Sequence, residues 1–208
     1  MNQIKALLLD VGQVLVTLDL DAPRREVTRR SKLPAAEIQT RWRSSAIMTL
    51  YEEGKLTTPE FYNSVKAMLE LEDVDLDTFR RGWGTVFVFP GGEGQCISPP
   101  FFRELKRRYR MVAVSNTNDL HWTYLETVLP LLAEFDDLVL SHRVGAMKPN
   151  PLIYRSALER AECRRDEALF VDDLETNVEA AVQLGINGLL YRNEAQFRAD
   201  LIRLRLLD

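Results

Sequence analysis

The sequence is poor in the residues that mark disulfide-stapled proteins and cysteine-bound metal sites. Its 208 residues include two cysteines, Cys96 and Cys163. Two cysteines cannot form the disulfide framework of a small secreted domain, and neither belongs to a metal-ligand spacing. We therefore expect two free thiols in a reducing cytoplasm.

Long apolar runs and an excess of basic residues are also absent. No uninterrupted apolar stretch approaches the roughly 20 residues that cross a membrane, and residues 1–5 do not open an apolar signal-peptide region. The formal net charge of −4 gives no reason to expect a nucleic-acid partner, since no basic face dominates. These absences predict a cytoplasmic protein with neither a membrane nor a nucleic-acid partner, and they leave its oligomeric state open.

Short apolar runs alternate with amphipathic stretches along most of the chain. The runs are continuous rather than alternating, which is typical of strands covered on both faces of a parallel sheet. Helix starts with Pro in the first turn, at Ser98-Pro99 and Asn150-Pro151, separate them. The pattern predicts a doubly wound, Rossmann-like α/β fold. The predicted strands are Ala6–Leu9, Met111–Val114, Leu138–Leu140, Ala168–Val171 and Gly188–Tyr191.

One interval is much longer than a crossover between parallel strands requires. Residues 17–90 are helical in character and predict a small helical cap subdomain, inserted into an α/β core of residues 1–16 and 91–208. Within the insert, Thr58-Pro59-Glu60 predicts a helix start with Thr58 as the N-cap. Pro90-Gly91-Gly92-Glu93-Gly94 returns the chain to the core, either as a hinge or as an ordinary exposed loop.

Polar residues follow four of the predicted strands. Asp10 ends the first, Ser115 ends the second, Lys148 follows the third, and Asp172 and Asp173 end the fourth. Because the carboxyl ends of parallel strands lie at one edge of a sheet, topology brings these side chains together. Each alone is typical of a cap or a turn, but four successive strand ends predict a functional site.

The chemistry of the set is complementary. Clustered carboxylates repel one another unless a cation lies between them, and oxygen ligands suit Mg²⁺. A lysine and a hydroxyl beside such a metal make a site for a phosphoryl group, and a carboxylate can serve as the nucleophile. Bacterial receiver domains use the same residue types. In those domains, however, the acidic pair precedes the phosphorylated aspartate, whereas here the single aspartate, Asp10, comes first.

Four segments, in the expected order, resemble the motifs of the haloacid dehalogenase-like hydrolase superfamily over essentially the whole chain. The insert after the first motif resembles the helical cap of one subgroup. The branch that contains the bacterial α-D-glucose-1-phosphate phosphatase is most similar, because it also has Gly two residues after the nucleophile. Residues 51–56 and 115–121 fit that branch too. The four segments are residues 9–15, 114–118, 148–149 and 170–177.

The resemblance implies a Mg²⁺ site. Asp10 is similar to the nucleophile and metal ligand of the family, and the backbone carbonyl of Gly12 to its second ligand. Asp173 resembles the main acidic ligand of the last motif, with Asp172 beside it as a direct or water-mediated partner. Asn177 is placed to orient this acidic loop from the first turn of the next helix.

The resemblance also implies a phosphate site. Ser115, with the backbone N–H of Asn116, is similar to the phosphate-binding pair of the family. Lys148 resembles the lysine that neutralises both nucleophile and phosphate. Asp10, Ser115 and Lys148 are therefore the predicted catalytic residues, and Ser115, Asn116 and Lys148 the predicted substrate-binding residues.

Gly12 departs from most phosphatases of the superfamily, which have a second Asp there as general acid and base. Loss of such a group typically costs about 10²–10⁴-fold in rate. Three explanations stay open. The substrate has a better leaving group, such as an anomeric sugar phosphate; another group replaces the Asp; or the chain has lost catalysis. The replacement candidates are Asp19, Glu52, Glu53 and His121.

The resemblance predicts a Mg²⁺-dependent phosphatase that hydrolyses a small phosphorylated metabolite, such as a sugar phosphate, through an aspartyl-phosphate at Asp10. A catalytically weakened phospho-ligand binding or regulatory module is the alternative, motivated by Gly12. A haloacid dehalogenase is disfavoured, because those enzymes need no Mg²⁺ and do not retain the acidic pair seen at Asp172 and Asp173.

Overall fold

A computed structural model of the chain describes residues 3–88 and 96–208. Most of its strands form one parallel sheet, and the two shortest pair with each other. In these residues the strands are β1 (Ala6–Leu9), β2 (Thr17–Leu18), β3 (Phe87–Val88), β4 (Arg110–Ser115), β5 (Asp137–Leu140), β6 (Ala168–Asp172) and β7 (Asn187–Leu190).

The helices fall into a group between β2 and β3 and a group that alternates with the later strands. No helix in the described residues has the length and apolar character needed to cross a membrane. The helices are α1 (Asp21–Arg30), α2 (Ala35–Ser44), α3 (Ile47–Glu52), α4 (Thr58–Met68), α5 (Leu76–Gly84), α6 (Pro99–Lys106), α7 (Asp119–Val128), α8 (Ser141–Val144), α9 (Pro151–Ala161), α10 (Glu175–Gln183) and α11 (Glu194–Arg203).

The parallel sheet has the order β5-β4-β1-β6-β7, so β1 lies at its centre. Leu9, the last residue of β1, is opposite Ala113 of β4 and Val171 of β6. The three strands therefore end within two residues of the same level, which brings Asp10, Ser115 and Asp172 to one edge of the sheet.

Helices cover both faces of the sheet. Leu7 and Leu9 of β1 pack with residues of α6, α7 and α11 on one face. Ala6 and Leu8 pack with residues of α9 and α10 on the other. All four side chains are wholly buried, which explains why the strands read as continuous apolar runs rather than as alternating patterns. The predicted doubly wound α/β fold is confirmed.

The helices α1 to α5 surround an apolar centre of their own. Phe61 stacks on Tyr51 with ring centroids 4.1 Å apart and meets Phe79 and Trp83 edge-on. The antiparallel pair β2 and β3 connects this group to the sheet. Assignment of residues 17–90 to a separate cap remains a prediction, and the Pro90–Gly94 hinge lies outside the described residues.

One predicted helix start is wrong by a residue. Thr57, not Thr58, is the N-cap of α4: its side chain accepts the backbone N–H of Glu60, and the Glu60 carboxylate accepts the backbone N–H of Thr57. Such a capping box requires Thr and Glu three positions apart, a spacing that Thr57 has and Thr58 lacks. The Thr58 hydroxyl is instead bonded to Tyr51 and to Asp119 of α7.

The turn after α3 packs against the backbone of α8. Gly54 has φ +67°, in the left-handed region, and a Cβ placed on it would lie 2.0 Å from the His142 carbonyl oxygen. A backbone atom cannot move aside as a flexible side chain can. Glycine therefore satisfies two requirements here: the left-handed conformation, and the close approach of helices α1 to α5 to α8 at the edge of the parallel sheet.

We expect Gly54→Ala to destabilise the protein more than Gly145→Ala. Gly145 shares the left-handed conformation, with φ +78°, but a Cβ there meets nothing within 4 Å. It therefore reports only the conformational cost, about 1–2 kcal/mol. Gly54→Ala adds the steric conflict, about 1–3 kcal/mol more. Urea unfolding of both variants measures the difference, and equal losses of stability would refute the packing argument.

Candidate active site

The polar residues predicted to converge do meet at the carboxyl edge of the sheet. The backbone N–H of Asp10 donates to the Val171 carbonyl at 2.9 Å, which extends the β1–β6 pairing by one residue. Asp10 thus leaves the sheet between Ser115, which ends β4, and Asp172, which ends β6. All three side chains are buried.

Lys148 joins the ends of these three strands. Its Nζ donates to Asp10 Oδ1 at 2.7 Å, to Asp172 Oδ2 at 2.7 Å and to the Val114 carbonyl at 2.9 Å. The Lys148 side chain is 2% exposed. All three donors of the ammonium are therefore used, and the nitrogen is held at a fixed position among the strand ends.

Asn116 fixes the backbone that carries this lysine. Its Oδ1 accepts the backbone N–H of Lys148 at 2.7 Å, and its Nδ2 donates to the Lys148 carbonyl at 3.0 Å. The Asn116 side chain is occupied by this bond pair, which is compatible with a substrate-binding role for its backbone N–H alone.

Charge balance holds Lys148 protonated in spite of its burial. Desolvation acts to lower the pKa of this ammonium, but the attraction of Asp10 and Asp172 and the hydrogen bonds that Lys148 donates to both outweigh it and raise the pKa above its usual value. A buried ion pair of this kind is tolerated only when its members are hydrogen-bonded to one another.

Three carboxylates converge beside the ammonium. Asp10, Asp172 and Asp173 each offer an oxygen, and these atoms lie within 4.8 Å of one another. Asp172 is further bonded to the Leu174 N–H and, through both oxygens, to Asn177 Nδ2 at 3.0 and 3.1 Å. Asn177 therefore orients Asp172, as its position four residues after Asp173 indicates.

Asp173 is the less buried member of the pair and is hydrogen-bonded to Asp10. Burial, together with the charge of Asp172, raises the pKa of the Asp173 carboxyl. Burial raises the pKa of Asp10 to about 7, with the charge of Asp172 adding to the rise and the charge of Lys148 opposing it. Both shifts oppose ionisation of Asp10 and Asp173, so an added positive charge would favour the ionised pair.

The donor set fits a divalent cation. With all three aspartates ionised, one ammonium offsets only one of three negative charges. The oxygen ligands are hard donors of the kind Mg²⁺ prefers. No cysteine or histidine belongs to the cluster, so its composition does not favour a softer metal such as zinc.

Gly12 carries no side chain into this cluster. A Cβ at this position would lie 2.9 Å from Leu18 Cδ1, a flexible side-chain atom, so a larger residue there requires a local shift. The proton-transferring group that the superfamily usually has here is absent. A metal-binding role for the Gly12 carbonyl remains a prediction.

The loop after β4 is fixed by a residue that sequence reasoning missed. Ser141 Oγ accepts the Thr117 N–H at 2.9 Å and donates to the Thr117 carbonyl at 2.8 Å. Ser141 directly follows β5, so it carries the same strand-end signal as Ser115. Its two bonds hold the segment that contains Ser115 and Asn116.

The helical group contributes one carboxyl next to this loop. Glu52, at the end of α3, is hydrogen-bonded to the side chain of Asn118, the buried N-cap of α7. Glu53 instead forms an ion pair with Lys55 at 2.5 Å. His121 stacks on Trp83 with ring centroids 5.7 Å apart, and burial lowers the pKa of its ring to about 4.

The chain is similar to known proteins of one family. A model of haloacid dehalogenase-like hydrolases matches residues 35–185. The chain is 28% identical to D-ribitol-5-phosphate phosphatase of Bacteroides thetaiotaomicron, over 95% of this chain and 97% of that protein. It is 30% identical to a phosphatase of Mycobacterium tuberculosis, over 96% of this chain and 93% of that protein.

Solved structures agree with the sequence matches. An enzyme of the family from Bacteroides thetaiotaomicron, solved with magnesium and inorganic phosphate, superposes with a TM-score of 0.76 at 26% identity, covering 90% of this chain and 93% of that one. A predicted hydrolase of this type from Porphyromonas gingivalis, at 22% identity, shares the fold with a TM-score of 0.78, over 99% of this chain and all of that one. The chain belongs to the haloacid dehalogenase-like hydrolase family.

We expect Mg²⁺ to raise the melting temperature more at pH 8 than at pH 6. The pKa of Asp10 rises from 3.8 to about 7 in the folded protein, so without a cation its ionisation removes stability as pH rises through that interval. A cation binds the ionised form, so its contribution grows with pH and approaches about 2.7 kcal/mol at 100 times the dissociation constant.

Thermal unfolding with and without Mg²⁺ measures this increment. Asp173→Asn should abolish it. Asp77→Asn, which removes an exposed carboxylate of α5 paired with Arg80, should leave it unchanged. An equal increment at both pH values, or its persistence in Asp173→Asn, would contradict the proposed metal site.

Proposed function

We propose that this chain is a Mg²⁺-dependent phosphatase that hydrolyses a small phosphorylated metabolite, in particular a sugar or polyol phosphate, with Asp10 as the nucleophile. One observation carries the proposal: Lys148 lies 2.7 Å from both Asp10 and Asp172, with Asp173 beside them. Such a set supplies a fixed carboxylate, a fixed ammonium and a cation site at one edge of the sheet.

Relatives that span nearly the whole chain support the reaction and the substrate class. One is named for its action on D-ribitol 5-phosphate, a phosphomonoester of a sugar alcohol, and another is named a phosphatase. The solved relative holds magnesium and inorganic phosphate together, which are the cofactor and the product that the proposed reaction requires. We further propose that the protein acts on this metabolite in the cytoplasm.

Asp10 and Asp173 would hold the Mg²⁺, together with the backbone carbonyl of Gly12 and with Asp172 beside them. When bound, the ion supplies positive charge that offsets these carboxylates and the oxygens of the phosphate. Asn177 and Lys148 hold Asp172 from two sides, so the acidic loop is oriented before any ligand arrives.

The residues of the chain then act on the phosphoryl group directly. Lys148 fixes the orientation of the Asp10 carboxylate and contributes a charge that attracts the phosphate. The Ser115 hydroxyl and the backbone N–H of Asn116 donate hydrogen bonds to phosphate oxygens. Asp10 attacks phosphorus as the bond from phosphorus to the alcohol oxygen breaks, and water then attacks the phosphorus of the aspartyl-phosphate, which breaks the bond to Asp10 and releases phosphate. Preorganised donors of this type supply most of the stabilisation that phosphoryl transfer needs.

A phospho-ligand binding or regulatory module is the second candidate, because Gly12 removes the usual proton-transferring group. It predicts ligand-dependent stabilisation without turnover that depends on Asp10. A haloacid dehalogenase is disfavoured, since both Asp172 and Asp173 are retained. The likeness to solved dehalogenases, at 17% and 20% identity, reflects the shared fold alone.

We expect the purified protein to release phosphate from members of a sugar-phosphate and polyol-phosphate panel when Mg²⁺ is present. The panel includes D-ribitol 5-phosphate, α-D-glucose 1-phosphate and D-glucose 6-phosphate, and the measurement is inorganic phosphate released. Asp10→Asn should lower turnover by about 10³-fold or more, because it removes the nucleophile. Asp77→Asn should retain the wild-type rate.

Two results would count against the enzyme and for the binding module. The first is no phosphate release from any member of the panel while a phosphate ester still raises the melting temperature. The second is a trace of release that Asp10→Asn leaves unchanged, since such release does not pass through Asp10.

A further inference from the structure

The structure distinguishes among the four groups that could replace the missing proton carrier at position 12. Asp19 is partly exposed and accepts a hydrogen bond from Arg25 at 2.6 Å, which holds the pKa of its carboxyl below the usual value. Glu53 is paired with Lys55. The His121 ring, with a pKa of about 4, is neutral at physiological pH. Asp19 and Glu53 are thus held in ion pairs with cations, and His121 lacks the cationic form that would donate a proton.

Glu52, the fourth group, is held against the sheet domain by its neighbours. The hydroxyl of Tyr51, the preceding residue, accepts the backbone N–H of Leu120 at 3.1 Å and is 2.8 Å from the Thr58 hydroxyl. Thr58 in turn donates to Asp119 at 2.8 Å. These bonds and the close approach of Gly54 fix the turn that contains Glu52 relative to α7 and α8.

The partner of Glu52 belongs to the phosphate-binding loop. Its carboxyl is hydrogen-bonded to Asn118, which is wholly buried and lies three residues after Ser115. The Asn118 side chain is itself fixed, because its Oδ1 caps α7 and its Nδ2 lies 3.1 Å from His121 Nδ1. Glu52 is therefore a half-buried carboxyl of the helical group whose hydrogen-bond partner lies at the end of the loop that follows β4.

The surroundings of Glu52 allow its carboxyl to gain and lose a proton near neutral pH. Burial raises its pKa to about 7, opposed by the Asn118 hydrogen bond. No charged group is among the causes of this shift. The titratable and charged residues on the elements around it are Tyr51, Glu53 and Lys55 on its own helix and turn, Glu60, Tyr62 and Lys66 on α4, Asp119, His121, Tyr124 and Glu126 on α7, and His142 and Arg143 on α8.

We propose that Glu52 is the general acid and base that replaces the side chain missing at Gly12. This inference rests on the proposed phosphatase function and specifies which residue moves the proton. It also assigns the helical group a chemical role, since its carboxyl completes a site whose other groups come from the sheet edge.

The proton balance of the two half-reactions follows. In the first, an Asp10 oxygen bonds to phosphorus, the bond from phosphorus to the alcohol oxygen breaks, and the Glu52 carboxyl proton passes to that oxygen. In the second, a water oxygen bonds to phosphorus, one water proton passes to the Glu52 carboxylate, and the bond from phosphorus to Asp10 breaks. Phosphate leaves, and both carboxyls return to their starting state.

The test compares Glu52→Gln with Glu53→Gln, its neighbour in the same turn. With D-ribitol 5-phosphate, or whichever panel member the wild type turns over fastest, Glu52→Gln should lower kcat by about 10²–10⁴-fold. Glu53→Gln should retain the wild-type value. Glu52→Asp keeps an ionisable carboxyl and should recover part of the loss. Thermal unfolding of each variant checks that the fold is intact.

A second substrate separates the two proton transfers. The leaving group of 4-nitrophenyl phosphate departs as an anion, so phosphorylation of Asp10 needs no acid. With this substrate Glu52→Gln should give a rapid burst of one equivalent of 4-nitrophenolate, followed by slow turnover. The wild type is expected to turn over faster as pH rises through 7, and Glu52→Gln should lose this rise, because the rise reports a base with a pKa of about 7.

The outcomes separate this inference from the function on which it rests. Equal kcat for Glu52→Gln and Glu53→Gln, with Asp10→Asn inactive, would overturn the role of Glu52 and leave the phosphatase standing. If both variants and the wild type alike prefer anomeric or aryl phosphates, the enzyme manages without an acid at position 12 because its substrate has a good leaving group, and the role of Glu52 is overturned. Absence of turnover in the wild type would overturn both proposals.

Discussion

The site depends on one buried ammonium. Lys148 is bonded to Asp10 and Asp172 at 2.7 Å each, in a place where water reaches almost none of its side chain. Removing such a partner leaves buried carboxylates unpaired, which typically costs about 3–5 kcal/mol. Three aspartates and one lysine carry a net charge of −2 when all are ionised, so a divalent cation would neutralise the cluster and allow an anionic phosphate to approach it. The placement of the carboxylates, the net charge of the site and its preference for a divalent cation thus all follow from the way Lys148 is bonded to the aspartates.

Much of the fold is predictable because strands that are buried on both faces of the sheet appear in the sequence as continuous apolar runs. The first strand, Ala6–Leu9, has the predicted bounds, and β4 and β6 extend the predicted runs only to include residues such as Ser115 and Asp172. A prediction based on apolar runs assigns polar residues at the end of a strand to the following loop. The N-cap of α4 shows the opposite limit: Thr57 and Thr58 are adjacent, and only the reciprocal bond with Glu60 distinguishes them.

The sheet-edge part of the site is predictable for a topological reason, whereas the helical part is not. Parallel strands with a common direction place Asp10, Ser115 and Asp172 together whatever the loops do. The direction of a side chain at the end of a short helix depends on tertiary contacts instead. Glu52 and Glu53 are equivalent in the sequence, yet one is bonded to buried Asn118 and the other is paired with Lys55 at the surface.

The central claim is that the phosphoryl group passes through Asp10, and chemical trapping tests it most directly. The wild-type protein is mixed with substrate and Mg²⁺, quenched in acid within one turnover, and reduced with borohydride, which converts an aspartyl-phosphate into homoserine. Peptide mass spectrometry then locates the modified residue. Homoserine at position 10 is the predicted result. If the wild type releases phosphate at its normal rate while residue 10 is unmodified at every quench time, the phosphoryl group does not pass through Asp10.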